Sequence, residues 1–331
     1  MNLKWNTDNL KGARQLSNDF ISCFLNSRYI LMEGAVAERL KREFKLKIDG
    51  KVALASFIYS DKDKLEMIYK EYIDVAVKFD IPIMISTPTR RANRDRVLTS
   101  GYDENIILDN VKFLKEIKSK YPSQKIFVGG LMGCVGDAYK GETIFDERSS
   151  EEFHLWQANL FKEAKVDYLY AGIMPCISEA LGMAKAMDKT NIPYIISFMI
   201  RNYGKLLDGT TIAEAIKFID ENTTNKPLCY MSNCVHPNVI LNTLNQPFNK
   251  NELVKSRFIG LQANASDFEL EELDSSKELK STSPEELASK MRLLYNEGFK
   301  IFGGCCGTNQ AHLEAIAGVF RGEKQIKHKC F

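Results

Sequence analysis

Short apolar runs and longer amphipathic stretches alternate along most of this 331-residue chain, and that alternation limits the fold more than any other feature. Eight runs have strand length: 30–34, 81–87, 126–131, 166–171, 193–198, 228–233, 257–262 and 299–304. Several are apolar throughout, the pattern of strands buried on both faces. Helical periods lie between them. Residues 62–79 set Leu65, Ile68, Tyr69, Tyr72, Ile73 and Ala76 on one face, and 105–120 does the same with Ile107, Leu108, Val111, Leu114 and Ile117. Further helices are expected over 149–165 behind a Ser-Ser-Glu-Glu cap signal, over 212–220, from Ser283 with Pro284 at the first helical position, and over 310–320.

Strands that alternate with helices build a parallel sheet. Eight such units close it into an α/β fold, a single-domain (β/α)8 barrel of the TIM type. A doubly wound sheet is the rival, but it often carries Gly-x-Gly-x-x-Gly after its first strand, and this first strand ends in Glu33-Gly34-Ala35. The barrel is expected over 30–322, after an N-terminal helical extension over 1–29 and before a tail over 323–331. The polar stretch 267–283 reads as a long surface loop.

Composition narrows the partners. Apolar residues at 44% and charged residues at 27% are those of an ordinary globular protein. A net charge of +2 gives no support for nucleic-acid binding, and the Lys-rich 324–329 reads as a solvated end. The opening MNLKWNTDNLKGARQ lacks the apolar core of a secretory signal. No apolar run nears the roughly 20 residues that span a membrane. A cytoplasmic protein without membrane partners is expected. Nothing in the sequence sets its oligomeric state.

A barrel of this kind places its chemistry on the loops after the C-terminal ends of the strands. Eight cysteines are scattered along the chain, unlike a disulfide framework. Cys234 directly follows the sixth expected strand, and Cys305 and Cys306 directly follow the eighth, so all three fall on one rim. Three thiolates with one open position are a catalytic zinc set. In Phe302-Gly303-Gly304-Cys305-Cys306-Gly307-Thr308, glycines flank both cysteines and permit the sharp turn that two successive ligands need. Two alternatives stand beside Zn2+: a disulfide or redox switch, and a phosphate cradle formed by the glycines ahead of the last helix.

These residues resemble the homocysteine S-methyltransferase family. Residues 303–308 match its Gly-Gly-Cys-Cys-Gly-Thr signature, with His312 following, and Asn233-Cys234 matches its Asn-Cys, with Pro237 beyond. Looser similarity covers the Gly-rich 128–133, Ser197, and 87–89. The resemblance runs from about residue 30 to 320. It implies that Cys234, Cys305 and Cys306 hold zinc and that a substrate thiol takes the fourth position. That thiol, homocysteine or a relative, would be methylated in line from a donor such as S-methylmethionine or S-adenosylmethionine. Glu33, Gly34, Thr87, Ser197 and Asn233 are the implied substrate residues.

Two departures touch the substrate side. Glu33 stands where the family usually has aspartate. In Tyr170-Ala171-Gly172-Ile173-Met174-Pro175, Gly172 stands where the family has a glutamate that meets the amino group of homocysteine. Either Glu33 or Glu179 replaces that carboxylate, or the substrate is not homocysteine. The seventh strand also differs, with Gln262-Ala263-Asn264-Ala265 where the family often has a Tyr-Pro-Asn-like segment. A zinc-binding barrel without catalysis and a phosphate-recognising barrel enzyme are the competing functions. Among the remaining residues, His236 reads as a loop residue rather than a ligand, His154 as a surface or partly packed helix residue, and Cys134 and Cys176 as packed thiols. The basic run 90–96 reads as a solvated loop, with binding of a substrate carboxylate as the alternative.

Overall fold

The computed structural model describes residues 19–140, 145–266 and 282–321. Eight parallel strands close in sequence order into a barrel: β1 (Ile30–Met32), β2 (Ile83–Ser86), β3 (Ile126–Gly133), β4 (Tyr168–Met174), β5 (Tyr194–Phe198), β6 (Cys229–Val235), β7 (Phe258–Ala263) and β8 (Ile301–Gly304). The Ile30↔Ile301 register closes the ring between β1 and β8. Each expected strand is present, with shifted ends. β1 and β2 stop early, leaving Glu33, Gly34 and Thr87 just beyond them, while β3 and β4 run on to Gly133 and Met174. The chain is thus an α/β barrel of the TIM type.

The outer helices include Lys62–Phe79, Asn105–Ser119, Glu147–Glu163, Ile177–Asp188, Ile212–Glu221, Pro237–Asn245, Pro284–Asn296 and Gln310–Val319. Leu65, Ile68, Tyr69, Tyr72, Ile73 and Ala76 are buried as the period of their helix requires. Ser283 caps the Pro284 helix through the Glu286 amide at 3.2 Å. The helix expected from Ser149 begins earlier, because Asp146 accepts the Ser149 amide at 2.8 Å and takes the capping place. Ile177–Asp188 carries no clear amphipathic stripe, since most of its residues are buried between its neighbours. A helix covered nearly all round has no polar face to announce it.

Of the expected N-terminal extension, Asp19–Asn26 is helical and lies under the barrel. Phe20 stacks on Tyr168 at 4.9 Å and meets Phe127 at 5.1 Å. Both partners lie near the starts of their strands, so this helix covers the N-terminal end and leaves the C-terminal mouth for chemistry. Residues 1–18, the expected tail over 323–331 and most of the expected loop over 267–283 lie outside the described residues. Among the described residues no helix is long and apolar enough to cross a membrane.

Candidate metal centre

Closure of the ring brings β6 and β8 to the same mouth, with β7 between them. Cys234, Cys305 and Cys306 each present a sulfur there, and the three atoms lie within 4.8 Å of one another. Local backbone geometry produces this convergence. The β6–β7 register shifts between Asn233 and Val235, and Cys234 takes φ +60. That conformation is uncommon for a residue with a side chain, and it costs about 1–3 kcal/mol where it occurs. The other two cysteines are pinned from β7. The Cys305 amide donates to Ala263 O at 2.7 Å, and Cys306 O accepts the Ala265 amide at 2.9 Å. Thr308 turns back on Cys305 O through its amide at 3.1 Å and its hydroxyl at 2.7 Å, and Gly307 supplies φ +79 to complete the turn.

The sulfurs compete for protons. Hydrogen bonds from Cys305, Cys306 and Tyr139 hold the Cys234 thiol well below its ordinary value, against the effect of burial. Contacts with Cys234 and Cys306 push Cys305 well up, and the contact with Cys234, with burial, pushes Cys306 up to about 12 against a lowering contact from Cys305. Of the three thiols, Cys234 gives up its proton most readily. A soft divalent cation would draw the remaining protons off, and three sulfur donors in one cluster fit such an ion. Two further groups address the cluster. The Asn233 carboxamide nitrogen lies 3.8 Å from the Cys234 sulfur, and Arg90 brings positive charge to Cys234, Cys134 and Cys305.

Ser197 and Asn233 meet each other: the Ser197 hydroxyl donates to Asn233 Oδ1 at 2.5 Å, and the Ile173 amide donates to the same oxygen at 3.0 Å. Ile173 itself takes φ +58, a genuine outlier for a β-branched residue. One side chain on β6 thereby ties the ends of β4 and β5 to the sulfur cluster. Thr87 braces the mouth, with its oxygen 2.7 Å from Thr89 Oγ1 and accepting the Leu131 amide at 3.0 Å. Gly34 lies under the Tyr72 ring, where a Cβ would come within 2.8 Å of the phenol. Glu33 is buried, and Oε2 has no hydrogen-bond partner. Burial raises its carboxyl to about 7, against hydrogen bonds that include the Ser86 and Gln262 side chains.

Glu179 is engaged elsewhere. It accepts the Val135 amide at 2.7 Å and meets His154 Nε2 at 3.0 Å. His154, expected near the surface, is only 1% exposed because the Ile177–Asp188 helix covers it. His236 and His312 act as helix-end groups: His236 Nδ1 accepts the Asn238 amide, and His312 closes a capping box with Asn309. Cys134 and Cys176 are buried. A phosphate cradle fits poorly, because the Gly307 amide already donates to the Glu38 carboxylate. Sequence patterns gave no sign of Tyr139, whose place over Cys234 depends on the path of the loop after β3.

Together these features define a cluster of three thiols, able to hold a metal ion, at the C-terminal mouth of a (β/α)8 barrel. The chain belongs to the homocysteine S-methyltransferase family, a class of thiol methyltransferases, whose family model matches residues 30–320. It is similar to homocysteine S-methyltransferase YbgG of Bacillus subtilis (strain 168), at 22% identity over 313 residues, covering 89% of this chain and 95% of that protein. Its fold is that of the Escherichia coli homocysteine methyltransferase MmuM. The metallated form matches with a TM-score of 0.75 at 17% identity, over 91% of this chain and 100% of that one. The oxidized form matches with a TM-score of 0.74 at 16% identity, over 92% and 100% of the two chains.

Proposed function

We propose that this chain is a zinc-dependent thiol S-methyltransferase that methylates homocysteine or a related thiol from a sulfonium donor such as S-methylmethionine or S-adenosylmethionine. The observation that carries this reading is the convergence of the Cys234, Cys305 and Cys306 sulfurs at the mouth of a barrel of this family. A zinc ion held there supplies the acceptor as a thiolate at neutral pH, where a free thiol with a pKa of about 8.5 is mostly protonated. The Asn233 amide and Tyr139 hydroxyl address the Cys234 sulfur and stabilise its charge. Asn233 also orients this centre, because Ser197 and Ile173 hold its oxygen. Glu33 and Gly34 stand at the start of the mouth, where they contribute to the acceptor pocket. On this reading the partners are a small-molecule thiol and a methyl donor, in the cytoplasm.

The test is metal analysis of purified protein together with a methyl-transfer assay over several thiols and both sulfonium donors. About one zinc per chain and thiol-dependent loss of donor methyl are expected, both abolished by Cys306→Ser. A full zinc complement with no turnover of any thiol would instead support a second reading, a zinc-binding barrel with a regulatory role. The glycine at position 172 favours that second reading, since it leaves one family substrate contact without its carboxylate.

A further inference from the structure

β3 ends at the mouth in Gly133, which is paired in register with Gly172, two residues before the end of β4. In-register neighbours on adjacent strands point to the same side of the sheet. The space above each glycine is already taken. A Cβ on Gly133 would lie 2.6 Å from Cγ of Arg90, so the arginine stem crosses the end of β3 where no side chain stands. A Cβ on Gly172 would lie 2.9 Å from Cδ1 of Leu131. A side chain at 133 would therefore displace Arg90, and an acid at 172 would stand one strand away from its stem.

Arg90 differs from the rest of its basic run. Arg91 and Arg94 are exposed, whereas Arg90 is partly buried. The residue before it is tied down: the Gln157 amide donates to Thr89 O at 3.1 Å, and the Thr89 hydroxyl donates to Leu131 O at 2.9 Å. Burial works against its charge, while Tyr139, Cys234, Cys134 and Cys305 favour it. A guanidinium is a fixed fork of donors that matches a carboxylate in two places. Here it stands beside a sulfur cluster and opposite the β4 position that lacks an acid.

We propose that Arg90 binds an anionic substituent, a carboxylate, of the acceptor thiol, and that the acceptor needs no ammonium group. This deepens the methyltransferase reading and rests on it. Both glycines serve the arrangement: Gly133 admits the arginine stem, and Gly172 keeps an internal acid from neutralising it. The acceptor class is a short mercaptocarboxylic acid.

The test is calorimetric binding to the zinc-loaded protein of three ligands: 4-mercaptobutyrate, its methyl ester, and homocysteine, which adds an amino group to the first. The free acid should bind at least tenfold tighter than the ester, and homocysteine no tighter than the acid. In Arg90→Met the acid-to-ester ratio should fall to within twofold, and Arg90→Lys should retain part of it. The inference is overturned by equal binding of acid and ester, or by homocysteine binding tenfold tighter than the acid. It is equally overturned if Arg90→Met weakens acid and ester alike, which would mean that Arg90 only offsets the charge of the metal centre. Should Arg90→Met fail to fold, the wild-type ratios and Arg90→Lys still decide. If no thiol binds to zinc-loaded protein, the methyltransferase reading itself fails, an outcome distinct from thiols that bind without discrimination.

Discussion

The Ser197 hydroxyl donates to the Asn233 carboxamide oxygen at 2.5 Å, joining β5 to β6 one residue before Cys234. The same oxygen accepts the amide of Ile173, which stands at φ +58. Asn233→Ala should leave that buried amide unsatisfied and destabilise the fold by about 1–3 kcal/mol. It should also weaken metal binding by roughly 10- to 100-fold, the range for lost supporting contacts around a metal site. Denaturant unfolding and competition with a chelator measure the two effects. Ser197→Ala should cost less, about 1 kcal/mol, because the Ile173 bond survives.

Cys306→Ser and Cys134→Ser separate the centre from its surroundings. Both cysteines lie at the mouth, but only Cys306 belongs to the sulfur cluster. Metal content should fall from about one ion per chain to near zero in the first variant. It should stay near one in the second.

Glu33 predicts a pH dependence of stability. Its carboxyl lies at about 7 in the fold, above an ordinary 4.5, because burial penalises the charge. Between those values the folded state holds the proton more tightly than the unfolded state does. Its contribution is therefore complete below about pH 4.5 and is lost as pH rises to about 7, with an upper bound of roughly 3 kcal/mol. Urea unfolding from pH 4.5 to 8 should show this decline in the wild type. A Glu33→Gln variant should show a flatter profile across the same window.

His154 and Glu179 form a buried pair at 3.0 Å, and Glu179 also holds the Val135 amide. His154→Ala removes one hydrogen-bond partner of the buried Glu179 and should cost about 1–3 kcal/mol. Hydrogen exchange should show faster opening near Val135, because the carboxylate no longer sits in one place. Unchanged exchange there would mean that the pair does not position the loop.

Gly172→Glu places an acid on β4 opposite Gly133. The Cβ presses only on the end of the Leu131 side chain, and overpacking of this kind should cost about 1–3 kcal/mol. The new carboxylate should compete for Arg90. Binding of 4-mercaptobutyrate should weaken several-fold relative to its methyl ester, and homocysteine should gain on both.

Much of the architecture was legible without coordinates because it rests on local periodicity. Apolar runs at 126–131 and 193–198 and the stripe from Leu65 to Ala76 are short-range patterns, and each became the expected element. The covered helix Ile177–Asp188 lacked a polar face and left no such trace. His154 was misread for a related reason, since its burial comes from that same helix. Arg90 looked like one of four arginines in a solvated run, and only its path over Gly133 distinguishes it.

The amino-acid sequence by itself determined the eight strands, six of the helices between them, the family, and the identity of the three cysteines, because each is written in adjacent residues. Tertiary structure decided what those residues meet. Closure of the ring set Cys234 beside Cys305 and Cys306, and a left-handed backbone at Cys234 accompanies that convergence. It also committed Glu179 to His154, left an oxygen of Glu33 unpaired, and laid Arg90 across the end of β3. Distances between side chains from different strands depend on barrel closure and strand register, quantities that no local run of residues encodes.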